Sequence, residues 1–116
     1  MIHHVGLEVR PADADGEVAF WALLGFSEVE PPGSLGERSR WVERDGRQIH
    51  LLLSDSPVIA AQGHVALHAP DYEAVCERLR AASFQVEPRE QHWSAPRAFV
   101  RSPAGHRVEL MAAPPR

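Results

Sequence analysis

The stretch IHHVGLEV, residues 2–9, alternates apolar and non-apolar positions and predicts a strand. Val5, Leu7 and Val9 fall on one face of it, and His4, Gly6 and Glu8 on the other. From Asp13 to Leu24 the spacing turns helical, with Val18, Trp21 and Ala22 at i, i+3 and i+4. Gly25 then suits the left-handed residue that ends many helices. FSEVE (26–30) predicts a short strand and PPGSLGE (31–37) a loop. RSRWVER (38–44) and RQIHLLL (47–53) predict strands joined by Asp45-Gly46, a strong hairpin signal.

The pattern then begins again. GHVALHA (63–69) predicts a strand, and Tyr72, Val75, Cys76, Leu79 and Ala82 share one face of a helix over 71–82. FQVEP (84–88) repeats the FSEVEP theme, and RAFVR (97–101) and HRVELM (106–111) predict strands joined by SPAG. His4-Val5 aligns with His64-Val65, Phe26 with Phe84, and Gly46 with Gly105; Ile49-His50-Leu51 aligns with Val108-Glu109-Leu110. The chain therefore reads as one domain, residues 1–116, made of a β-α-β-β-β module at 1–54, a linker at 55–62 and a second module at 63–112.

The repeat makes His4 equivalent to His64, and His50 equivalent to Glu109. His50 and Glu109 each sit between apolar neighbours in a last strand, so they project from the face opposite those neighbours. A pseudo-twofold between the modules would gather three imidazoles and one carboxylate, a donor set suited to one divalent ion: zinc, nickel, cobalt, manganese or iron(II). His3 aligns with Gly63, which leaves His4 as the candidate of its pair.

Composition narrows the partners. A net charge of −4 argues against nucleic acid. No apolar run is long enough to span a membrane, and no signal peptide is visible, so a cytoplasmic protein is expected. The single cysteine, Cys76, lies on the apolar face of the second helix and reads as core. Phosphate-loop, dinucleotide, nucleophile-elbow and His-Glu-x-x-His signatures are absent.

At HHVGLEV, FWALLGF, GHVALHAPDYEAVCERL and FVRSPAGHRVELM the sequence resembles the vicinal oxygen chelate superfamily. That superfamily includes glyoxalase I, methylmalonyl-CoA epimerase, extradiol dioxygenases and the fosfomycin- and bleomycin-resistance proteins. The resemblance implies an α+β fold in which two tandem βαβββ modules form a cup-shaped mixed sheet with helices outside. It implies a metal held by His4, His50, His64 and Glu109, with Glu109 also the candidate general base. The chain departs from the family at SPAG, usually an aspartate-rich turn, and at Ser83, usually glycine. His50 stands where glyoxalase I-like members carry a carboxylate, and Gly6 where fosfomycin-modifying ones carry a threonine.

The implied activity is metal-dependent lyase or isomerase chemistry on a small molecule that chelates the ion through neighbouring oxygens. An iron(II) extradiol-type dioxygenase is one alternative, and a non-catalytic sequestering protein of the bleomycin-resistance type is another. A homodimer is expected, because so small a domain leaves sheet edges to cover. Glu8, His68, His92 and Trp93 are candidate pocket residues. Trp21 and Trp41 read as packing residues and His106 as an exposed turn residue. Arg97 and Arg101 read as a solvated strand edge, with an anionic substrate as the alternative.

Overall fold

The computed structural model describes residues 1–115. The chain divides into two compact units, Met1–Ile59 and from Ala60 onward, each with its own four-stranded sheet. Among the described residues no helix is long and apolar enough to cross a membrane.

In the first unit the order is β1 (His4–Val9), α1 (Ala14–Leu23), β2 (Ser27–Val29), β3 (Ser39–Arg44) and β4 (Arg47–Leu53). The sheet runs β1-β4-β3-β2, with β1 parallel to β4 and the other pairs antiparallel. Asp45 and Gly46, at φ of 51° and 75°, form the two-residue turn between β3 and β4. That turn fixes the register so that Trp41 lies directly opposite His50. The segment expected as a plain loop at 31–37 contains a 3-10 turn, Gly33–Glu37, tied down by the Ser39 hydroxyl on the Leu35 carbonyl at 2.6 Å.

The buried stripe of α1 is Ala14, Glu17, Phe20 and Trp21 rather than the predicted Val18, Trp21 and Ala22. Glu17 enters the core because its carboxylate accepts the Trp21 indole N–H at 3.1 Å. Beside the helix, Val9, Leu24, Phe26, Val42, Ile49 and Leu51 are also buried.

The second unit repeats the plan: β5 (Val65–His68), α2 (Tyr72–Ala81), β6 (Glu87–Arg89), β7 (Arg97–Arg101) and β8 (Arg107–Met111), with sheet order β5-β8-β7-β6. Both helices close in the same way. The N–H groups of Gly25 and Phe26 bond to Ala22 and Trp21, and those of Ser83 and Phe84 bond to Arg80 and Leu79. The residue at the turn has φ of 91° in Gly25 and 70° in Ser83. Because Phe84 is spent on ending the helix, the strand expected at 84–88 begins only at Glu87. Val75, Cys76, Leu79, Ala98, Val100, Val108 and Leu110 are buried.

His106 is not exposed as expected. It is buried, because the turn between β7 and β8 is longer than two residues. Ser102 donates its N–H to the His106 carbonyl at 2.8 Å, and His106 donates its N–H to the Ser102 hydroxyl at 3.1 Å, folding His106 inward.

Candidate functional site

The polar face of each sheet is built on the same three-strand row. In the first unit the row is Gly6, His50 and Trp41, with His4 one pleat away on β1. In the second it is Ala66, Glu109 and Phe99, with His64 just ahead of β5. Each unit thus places one histidine, one candidate ligand from the last strand and one aromatic ring side by side. The two rows then differ in chemistry.

In the first unit the rings form a column. Trp41 stacks on His50 at 3.7 Å between centroids and 2° between planes, and His50 stacks on His4 at 3.9 Å and 13°. His50 Nε2 lies 2.8 Å from Gln48 Oε1, and His4 Nδ1 lies 2.9 Å from His3 Nδ1. An imidazole lone pair lies in the plane of its ring, so two nearly parallel, stacked rings do not aim at one ion. His50 is 7% exposed, and that burial, together with the neighbouring His4 and His3, pushes its pKa below the usual histidine value. Trp41, read from sequence as packing, is instead one wall of this column. Glu8 stands further along β1, where its carboxylate accepts the Val58 N–H at 3.4 Å.

In the second unit the groups converge. His64 donates Nδ1–H to the Gln62 carbonyl at 2.9 Å and turns Nε2 toward Glu109 Oε1 at 3.0 Å. Arg97 donates to the other carboxylate oxygen, Oε2, at 2.8 Å and to the Glu90 carbonyl at 2.6 Å. Glu109 is 6% exposed, and a carboxylate so buried needs such partners. Arg97 is therefore not the solvated edge residue expected; its side chain is 14% exposed and clamps Glu109. Phe99 meets the His64 ring edge-on at 5.2 Å.

This pair has the chemistry of half a metal site. With the Nδ1 proton given to a carbonyl, the gap between Nε2 and Oε1 must hold either a proton or a cation. A ring nitrogen oriented by a backbone carbonyl and a carboxylate oriented by an arginine are the supports that metal ligands ordinarily have. Among the described residues no three His, Cys, Asp or Glu side chains gather closely enough to hold an ion by themselves.

Glu109 also lines a cavity of about 190 Å³ with Ala66, His68, Trp93 and Met111, and no other carboxylate lines it among the described residues. Two of the candidate pocket residues, His68 and Trp93, stand there together. His92 touches Trp93 edge-on at 6.0 Å and is itself exposed.

The glyoxalase-like domain family model matches residues 6–111. The chain belongs to the glyoxalase-like family. With it the chain joins the vicinal oxygen chelate superfamily, and the two βαβββ modules are that superfamily's fold. A glyoxalase family protein from Bacillus anthracis is 22% identical, with a TM-score of 0.86, over 96% of this chain and 93% of that one. A lactoylglutathione lyase from Agrobacterium tumefaciens is 20% identical, with a TM-score of 0.73, over 96% and 92%. The fosfomycin resistance protein FosX from Listeria monocytogenes, as an E126Q mutant complexed with Mn(II) and 1S,2S-dihydroxypropylphosphonic acid, is 18% identical, with a TM-score of 0.76, over 98% and 90%. Identities this low speak for the shared fold of this glyoxalase-like chain. No curated protein matches the sequence at a significant level.

Proposed function

We propose that this member of the glyoxalase-like family is a divalent-metal-dependent enzyme, a lyase or isomerase acting on a small molecule with neighbouring oxygens. The observation that carries the reading is His64 Nε2 facing Glu109 Oε1 at 3.0 Å, each held from behind by a group that orients metal ligands. The lyase and the Mn(II)-bound FosX among the structural neighbours support it.

His64 and Glu109 are the proposed ligands in the second unit. A bound ion supplies Lewis acidity toward the oxygens of a substrate. The chain's own residues supply the rest. The Gln62 carbonyl fixes the His64 tautomer, and Arg97 holds Glu109 Oε2 so that Oε1 faces His64. Trp93 and Met111 wall the cavity that Glu109 enters, which restricts water around a substrate carbon. Glu109, the carboxylate of that cavity, is the proposed group for moving a proton. His50, bonded to Gln48 and stacked on both sides, serves in this reading as a wall. β1 and β5 are edge strands of their own sheets, and we place the chain in a homodimer on that ground.

Metal analysis of tag-free protein, purified without chelator and reconstituted with each candidate ion, tests the proposal. One equivalent is expected in the parent and none in His64→Ala or Glu109→Ala. A parent that retains no ion after reconstitution overturns it. That outcome would favour a sequestering protein, for which the Trp41–His50–His4 column is the aromatic surface.

A further inference from the structure

The polar face of the second sheet carries more positive charge than the Glu109 clamp uses. By alternation Arg97, Phe99 and Arg101 of β7 share this face with Arg107, Glu109 and Met111 of β8. A cavity of about 360 Å³ opens beside Phe99, lined by Glu87, Arg89, Arg101 and Arg107 among others. Glu87 is paired with Arg89 at 3.1 Å. Arg101 donates to the Gly105 carbonyl at 3.0 Å, and Arg107 lies over the Phe99 ring at 3.8 Å from its centroid. Among the described residues neither Arg101 nor Arg107 has a carboxylate partner. Two guanidinium groups thus face one cavity with their charge uncompensated.

We infer that Arg107, seated over the Phe99 ring, and Arg101 form a binding site for a dianionic phosphoryl group, a phosphate monoester or a phosphonate, on the substrate of this protein. The contact with the ring restrains the guanidinium, so ordering its N–H donors on phosphoryl oxygens costs less entropy. Two uncompensated positive charges match a dianion better than a single carboxylate. The placement is suited to a substrate. Arg107 and Glu109 are two residues apart on one strand face, about 7 Å, and Phe99 contacts both Arg107 and His64. On the far side of Glu109 lies the smaller cavity walled by Met111 and Trp93. The geometry fits a molecule with a phosphoryl head at Arg107, a reacting centre opposite Glu109 and a short apolar tail beside Trp93. The assignment of the reacting centre rests on the proposed function; the phosphoryl site itself does not.

The test is calorimetric titration at pH 8 and constant ionic strength with inorganic phosphate, methylphosphonate and acetate. Saturable binding of phosphate and methylphosphonate is expected in the parent, with acetate at least tenfold weaker. Arg107→Met should weaken phosphate at least tenfold, and Arg107→Lys, which keeps the charge without the stacked fork, should fall between. Arg101→Met, at an exposed strand position, provides a second variant should Arg107→Met fold poorly, and should weaken phosphate several-fold. The inference is overturned if the parent shows no saturable phosphate binding, if acetate binds as well as phosphate, or if both arginine variants bind phosphate as the parent does. A parent that binds phosphate but no metal refutes the metal proposal alone.

Discussion

Removing Arg97 should cost the fold measurably, because it holds a carboxylate that burial would otherwise penalise. The Arg97–Glu109 bond is 2.8 Å long, with side chains 14% and 8% exposed, so solvent screens it little. A hydrogen bond to a charged group contributes about 1.5–3 kcal/mol, and stripping one partner from a fully buried pair costs about 3–5 kcal/mol. Here His64 remains on Oε1, which favours the lower range, and Arg97→Met should destabilise by about 2–3 kcal/mol. For a chain of this size that lowers Tm by roughly 8–12 °C. Arg97 also bonds the Glu90 carbonyl, so the single variant overstates the pair. A double-mutant cycle with Glu109→Gln removes that contribution, since it is lost equally in both arms. Urea unfolding followed by circular dichroism should give a coupling of at least ~1.5 kcal/mol. A coupling below ~0.5 kcal/mol would show that Arg97 does not support Glu109, and the clamp would be refuted.

Ser83 holds a left-handed φ of 70° where the first module has Gly25, and a Cβ there costs about 1–2 kcal/mol. Ser83→Gly should therefore stabilise by about 0.5–1 kcal/mol after the loss of unfolded-state restriction, and an unchanged or lower denaturation midpoint would contradict this. Tyr72 is the single tyrosine; burial, with the neighbouring Cys76 thiol adding to it, pushes its pKa up to about 12. Its folded value lies above the unfolded one of about 10, so the stability it contributes is present below about pH 10 and lost as pH rises through about 12. Ultraviolet titration should show tyrosinate near pH 12 in native protein and near pH 10 in denaturant; a native midpoint near 10 would refute the burial argument.

The module plan was legible because its punctuation is local: Gly25 and Phe26 against Ser83 and Phe84 at helix ends, and Asp45-Gly46 at a hairpin. The candidate ligands were legible because alternation sets His50 and Glu109 against apolar neighbours. Their partners were harder to read, since partners come from register. For Trp41 the signal was present, because a two-residue turn pairs Arg44 with Arg47 and so Trp41 with His50. For Phe99 and Arg97 it was hidden, because the Ser102–His106 turn has no such fixed count. The same turn buries a histidine whose surroundings in sequence are those of an exposed loop. Glu17 escaped the helical pattern because a buried carboxylate looks polar until its indole donor is placed. Arg97 read as an edge because its bond to Glu109 and its approach to the Phe99 ring leave no mark on the alternation.

In the proposed site His64 Nε2 and Glu109 would hold the metal ion. Long-range nitrogen–proton NMR of the imidazole rings, during titration with zinc, reports each ring nitrogen of His64 separately. His64 Nε2 should shift and saturate at one equivalent while Nδ1 keeps its proton and its bond to the Gln62 carbonyl. Glu109→Gln should weaken the response at least tenfold. A His64 Nε2 resonance that stays unchanged as zinc is added would contradict the proposed site.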